Sequence, residues 1–264
     1  MDRNKRDNED LMRGNFITST SIIWYLLSLA IIILLWEVLS MLLSKPYTPG
    51  LDQVLRRIYS DLLSGVLIYN LRVSLERIFI ALLISTSSAL VLGILATWGP
   101  RFSKGFISSI VLLTYPIPHV ALLPILFFLL GVEWSKIALL SIITFYPTAL
   151  SVMEWSSRFP RDLGDLIIVM KGGRIHLIRY VIIPSSLPGI LTGIRISLNT
   201  AFAVLFIVES LVGGSGVGYL IYFYWQRIDY TGMYSSILFL SLVGLSFYFT
   251  LRYIEHKVLR WLYI

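Results

Sequence analysis

WSSRFPRDLGDLIIVMKGGRIHLIRYVIIPSSLP, residues 155–188, is the polar interruption on which the reading of this chain turns. It lies between two long apolar runs. Its cations (Arg158, Arg161, Lys171, Arg174, Arg179) outnumber its anions (Asp162, Asp165). Two short helical patterns flank Gly172-Gly173. Leu163, Leu166, Ile167 and Met170 share one face of the first, and Ile175, Ile178, Ile182 and Ile183 one face of the second. A Gly-Gly pair breaks a helix because it exposes backbone and permits positive φ. Pro184 and Pro188 are expected to end the second pattern. The stretch reads as a helix–turn–helix outside the bilayer on its basic side. It is either an ordinary solvated loop or a short amphipathic helix offered to a groove on a soluble partner.

The flanking chain is too apolar to fold in water. Of 264 residues, 56% are hydrophobic and 14% charged, which defines an integral membrane protein. The net charge of +7 follows from the cytoplasmic bias of Lys and Arg, so nucleic acid is not an expected partner. Cysteine is absent, which excludes disulfides and thiolate metal sites. His119, His176 and His256 are scattered without ligand spacing, so no metal site is expected. No nucleophile–base constellation and no Gly-x-x-x-x-Gly-Lys-Ser/Thr occurs, so neither catalysis nor a P-loop is expected on this chain. Gly213-Gly-Ser-Gly-Val-Gly218 has no following Lys-Ser/Thr and reads as a flexible outer turn.

Hydrophobic runs predict an all-α membrane protein with six transmembrane helices and both termini cytoplasmic. Residues 1–15 form a polar tail, and Ile17–Leu43 an uncleaved first span in which Glu37 must face protein or the interface. Leu51, Val54, Leu55, Ile58 and Leu62 mark an amphipathic helix along the outer surface. The second span, Leu75–Trp98, carries Ala81, Ser85, Ala89, Gly93 and Thr97 at four-residue steps. That small face suits close packing, within the subunit or between two. The third span, Phe106–Leu130, must break, because Pro116, Pro118 and Pro124 each remove a backbone donor. A break at membrane depth is buried in protein or lines a cavity. His119 lies in it, facing either substrate or the freed carbonyls. A short outer turn, Gly131–Lys136, leads to the fourth span, Ile137–Met153, interrupted at Pro147. The fifth is Gly189–Val212 and the sixth Met233–Leu251.

In the fifth span, Arg195, Asn199, Phe202, Phe206 and Glu209 recur on one helix face, with Arg195 the only cation deep in a span. Intramembrane ionisable groups usually face a bundle interior or a water-filled path. The stripe, with His119, is the candidate translocation path. Alternatively, Arg195 snorkels to the interface and Glu209 caps the glycine-rich turn.

The continuation Leu187-Pro-Gly-Ile-Leu-Thr-Gly-Ile-Arg195, the segment Glu209-Ser-Leu-Val-Gly-Gly-Ser-Gly-Val-Gly-Tyr219 and the run Tyr115-Pro-Ile-Pro-His-Val-Ala-Leu-Leu-Pro124 resemble the membrane-spanning permease subunits of ABC importers that work with a binding protein, most closely the nitrate/sulfonate/taurine branch. Ile182-Ile183-Pro184 matches the end of that family's loop signature and Gly172 or Gly173 its glycine, while Ile168-Val169-Met170 stands where the family has Glu-Ala-Ala. The resemblance implies an ATPase-docking loop containing Asp165, Met170, Lys171, Gly172, Gly173, Arg174 and Pro184. It implies a type I permease bundle divided into a cytoplasmic tail (1–19), a first helix with the outer amphipathic helix (20–66), the core (67–252) and a cytoplasmic C-terminal tail (253–264). It implies a homodimer of permeases, separate ABC ATPase subunits holding ATP and Mg, and an extracytoplasmic binding protein, in a prokaryotic plasma membrane. No cofactor is implied on this chain. The implied cargo is a small sulfonate-, taurine- or nitrate-like anion, with thiamine-precursor pyrimidines, riboflavin or aromatic acids as alternatives. An ion-coupled secondary transporter would instead need internal repeats and coupling-ion carboxylates within spans.

Overall fold

The computed structural model describes residues 19–43, 47–158, 162–170 and 172–259, with the side chains of 19–22, 163–165, 168 and 174 outside that description. The helices are α1 (Ser19–Leu42), α2 (Leu51–Leu63), α3 (Val66–Trp98), α4 (Arg101–Thr114), α5 (Leu123–Arg158), α6 (Asp162–Val169), α7 (Arg174–Leu177), α8 (Ile183–Val212), α9 (Val217–Gln226) and α10 (Tyr230–Val258). A 3-10 turn, His119–Leu122, precedes α5, and a π turn, Ile178–Ile182, joins α7 to α8. Among the described residues, five helical segments are long and apolar enough to cross a membrane: Ile23–Leu42, Val66–Trp98, His119–Arg158, Ile175–Val212 and Tyr230–Val258.

The centre is the trio α3, α5 and α8, joined by Ile78, Ala81, Leu139, Leu140, Leu198, Ala201, Leu205 and Val208. Small residues set how closely these helices approach. A side chain at Gly93 of α3 would lie 2.6 Å from Val152 of α5, so the small face of α3 packs inside the chain. The α5–α8 seam is tighter. Ser185, Gly189, Gly193, Ser197 and Ala201 of α8 are all buried at four-residue steps, and a Cβ on Gly189 would meet the Ser151 carbonyl at 2.6 Å. Hydroxyls then stitch the seam: Thr148 to Ser197 at 2.8 Å, Ser197 donating to the Thr144 carbonyl at 2.6 Å, and Ser156 to Ser186 at 2.9 Å.

Several sequence expectations need correction. The helix is not interrupted at Pro147, which sits inside α5. Thr148 and Ser197 hydroxyls both reach the Thr144 carbonyl in the turn the proline weakens. The turn expected over Gly131–Lys136 is present but shorter: only Gly131 leaves helical geometry, at φ +73°, and helix resumes at once. Pro184 and Pro188 do not end the second pattern of the 155–188 stretch, since helix continues through both to Val212. Pro184 falls in the first turn after the π turn, where a backbone N–H is unneeded.

The proline-rich break is present. α4 stops at Thr114, and helix returns only as the 3-10 turn at His119. Tyr146, on the far limb of α5, donates to Thr114 at 3.1 Å and packs its ring at a tilt against His119, with centroids 4.6 Å apart. Each limb from Gly131 to these partners is roughly 20 Å at 1.5 Å per residue, so contact requires the chain to double back at Gly131.

Among the described residues, α1 touches the rest only near its C-terminal end. Trp36 donates to the Pro49 carbonyl at 3.1 Å, and Glu37 accepts from the Leu51 amide at 3.0 Å, a carboxylate at the N-terminus of α2. α2 buries Val54 and Ile58 against Leu67, Leu220 and Tyr224. Its Asp61 accepts from Arg57 at 3.0 Å and from Tyr224 at 3.2 Å. Burial pushes the Tyr224 hydroxyl above its ordinary range, so it remains a donor.

Candidate functional site

The bundle has two chemically distinct ends. At one end, a charge cluster holds the glycine-rich turn that follows α8. Glu209 is fully buried, and its carboxylate accepts from Ser74 at 2.9 Å, Arg77 at 2.6 Å and the Gly218 amide at 2.8 Å. Arg77, 2% exposed, also donates to the Ser215 carbonyl at 2.7 Å and to Glu133 at 2.7 Å. Lys136 is fully buried and bonds Glu133 at 3.1 Å and the Gly213 carbonyl at 2.7 Å. Asn70 and Ser74 accept from the Gly216 and Val217 amides. Two cations thus face two anions, and each buried charge has a partner, as burial requires.

The turn is therefore pinned rather than flexible, which corrects the sequence reading. Gly216 adopts φ +110° and ψ 163°, open to glycine alone. A side chain there would also run into the Glu209 carboxylate. Gly216→Ala is expected to cost at least about 1–3 kcal/mol from backbone strain, read as a lower melting temperature of the purified protein. An unchanged melting temperature would mean the turn relaxes freely.

Arg77, Glu133 and Lys136 escaped sequence reasoning. A second span beginning at Leu75 puts Arg77 at its edge and leaves Arg195 as the only deep cation. The structure starts α3 at Val66, so Arg77 lies well inside it. The visible signal was four charged or amide residues (Asn70, Arg77, Glu133, Lys136) near span ends, each of which needs a buried partner.

At the other end, the 155–188 stretch forms α6, a turn at Met170 to Gly173, and α7. The Met170 amide bonds the Leu166 carbonyl at 2.9 Å, and the Gly172 amide bonds the Ile167 carbonyl at 2.8 Å. Leu166, Val169, Met170 and Ile175 are exposed, the last three by more than three quarters. Ile182 is buried, so the second predicted face is divided between core and surface. Lys171 lies outside the described residues, as do the side chains of Asp165 and Arg174. Gly173 is exposed, and Gly172 and Pro184 are half-buried.

The α8 stripe separates into engaged and unengaged members. Arg195 pairs with Glu255 of α10 at 3.3 Å, and Thr192 donates to the same carboxylate at 3.0 Å. Glu209 is committed to Arg77. Phe206 backs the turn, its Cα lying 2.8 Å from where a Gly218 side chain would start. Asn199 and Phe202 line a cavity of about 250 Å³ with Ala203, Leu240, Ser241 and Gly244. His119 lies in the proline break, its Nε2 buried without a hydrogen-bond partner. Among the described residues, no three His, Asp or Glu cluster as metal ligands.

Apolar helices of spanning length, charges buried in pairs between them, and an exposed apolar knob between α5 and α8 define a polytopic helical membrane protein. Residues 89–260 match the family of binding-protein-dependent transport system inner membrane components, and the chain belongs to that family. It is similar to a putative aliphatic sulfonates transport permease of Bacillus subtilis, 30% identical, with 88% of this chain and 85% of the relative covered. It is also similar to a formylaminopyrimidine transport permease of Halalkalibacterium halodurans, 27% identical, with 87% and 92% covered. Its fold resembles the inward-facing MetNI methionine ABC transporter, with a TM-score of 0.61 and 18% identity over 76% of this chain and 97% of that one. The chain is thus a permease subunit of an ABC importer, a non-catalytic, multi-pass membrane component.

Proposed function

We propose that this subunit works as one of a pair. In this reading it has six crossings, with α4 and the first limb of α5 together making the third, and with both termini and the α6–α7 knob in the cytoplasm. The knob docks on an ABC ATPase subunit that holds ATP and Mg, and an extracytoplasmic binding protein delivers cargo at the end bearing the Gly213–Gly218 turn. The observation that carries the reading is mechanical. α6 and α7 link the ends of α5 and α8, the two helices stitched by Gly189, Gly193 and Ser197. A push on the knob moves that pair as one body, which is how a short helix seated in a partner's groove switches a cavity between two openings. The exposed apolar side chains Leu166, Val169, Met170 and Ile175 give the partner something to bury.

The cargo is a small solute, of the sulfonate, taurine or nitrate kind. The sulfonate relative supports this class, and the formylaminopyrimidine relative supports the pyrimidine alternative.

Leu166→Glu combined with Ile175→Glu is expected to reduce co-purification of the ATPase subunit at least about tenfold, since buried apolar anchors dominate interfaces. The melting temperature of the chain itself should stay unchanged, because both positions are exposed. Full retention of the ATPase would remove the docking assignment.

A further inference from the structure

The α8 stripe offers the solute fewer groups than its sequence suggests. Arg195 is held by Glu255, and Glu209 by Arg77, Ser74 and Gly218. What remains is the crevice between α8 and α10 lined by Asn199, Phe202, Ala203, Leu240, Ser241 and Gly244. Asn199 is exposed within the Ile175–Val212 segment, and its amide makes no hydrogen bond among the described residues. An unpartnered amide facing hydrocarbon is strongly disfavoured, so this face meets water or protein rather than lipid. Phe202 forms one wall, its ring tilted against that of Phe247 with centroids 6.1 Å apart. Gly244 opposite leaves room, its Cβ position already 3.4 Å from the Phe202 ring. About 250 Å³ lies below the roughly 300–1,000 Å³ of drug-sized pockets, which suits a small solute.

We propose that the Asn199–Phe202–Ser241–Gly244 crevice is a water-accessible contact site for the transported solute. The claim rests on the permease reading. Its chemistry is neutral: an amide able to donate and accept, a hydroxyl with a free acceptor site, and an aromatic wall. Such a site can hold a polar headgroup without a fixed cation, weakly enough that the solute leaves, as a conducting site requires.

The chain has no cysteine, so single substitutions report cleanly. Asn199→Cys and Leu245→Cys, the latter an exposed apolar neighbour on α10, are placed in nanodiscs with the ATPase subunit and treated with a small charged methanethiosulfonate. Asn199→Cys is expected to react at least about tenfold faster than Leu245→Cys, because the reactive thiolate forms only where water reaches. Trapping the ATPase with ATP and vanadate should change the Asn199→Cys rate by about fivefold or more, since a transport path alternates its exposure. A rate equal to that of Leu245→Cys, a rate indifferent to trapping, or a disulfide-linked dimer through Asn199→Cys would each overturn the proposal, the last by placing a second copy in the crevice. Failure of the ATPase to assemble tells against the permease reading instead. Labelling without the partner still reports separately on whether water reaches the crevice.

Discussion

Arg77→Ala should lower the melting temperature of the purified subunit by on the order of 10 °C. The side chain is 2% exposed and, among the described residues, is the only cation touching Glu209, which is fully buried. Removing one partner of a buried ion pair typically costs about 3–5 kcal/mol, because the surviving charge stays desolvated and uncompensated. In a chain of this size each kcal/mol moves the midpoint by about 2–4 °C. The loss should not follow from the charge itself. Arg77→Met with Glu209→Met should recover more than half of it, because the anion then leaves with the cation. Glu133, the remaining carboxylate bonded to Arg77, is half exposed on its side chain and can turn to water or stay with Lys136. Midpoints measured for the two single variants and the double variant decide. If the double variant loses the sum of the two single losses, the pair is not the source of the stability.

Gly193→Leu should uncouple the motor from the path. A Cβ at this position would sit 2.7 Å from Thr148 Cα and 3.1 Å from its Cγ2, so α5 and α8 must separate to admit a side chain. Overpacking of this kind costs about 1–3 kcal/mol. The larger consequence is mechanical. Separation breaks the Thr148–Ser197 bond at 2.8 Å and the Ser197–Thr144 bond at 2.6 Å, the stitches that make the two helices one body. ATP-driven uptake in proteoliposomes should fall about tenfold or more, the scale on which small misplacements act. The ATPase subunit should still co-purify, because α6 and α7 are untouched. Gly105→Leu serves as control, since no heavy atom lies within 4 Å of its Cβ position. Uptake that matches the control would show that the seam does not transmit the stroke.

Local chemistry was legible wherever it depended on near neighbours in the chain. The polar 155–188 stretch, its Gly172-Gly173 turn, the amphipathic α2 and the proline break before α5 were all readable, since donors removed by proline and apolar faces repeating every turn are properties of short windows. The small face on α3 was readable as a packing surface. Its partner, Val152 of α5, was not, because a face of small residues says how close a neighbour comes and not which one. For the same reason a short window predicts an interruption at Pro147 and helix ends at Pro184 and Pro188, where the structure has continuous helix. Whether a proline stops a helix depends on the packing around it: Pro147 lies beside the Thr144–Thr148–Ser197 hydroxyl stitches and Pro184 follows a π turn, and helix continues through both.

The sequence by itself determined that this is an integral membrane protein interrupted by a polar stretch at residues 155–188, because mean composition and short-range periodicity set the solvent a helix requires. Only the tertiary structure decided which charges belong together. Arg77 finds Glu209, 132 residues away, and Arg195 finds Glu255 instead of its own helix. Pairing of buried ions is set by which helix ends meet in space. No window of sequence contains that distance.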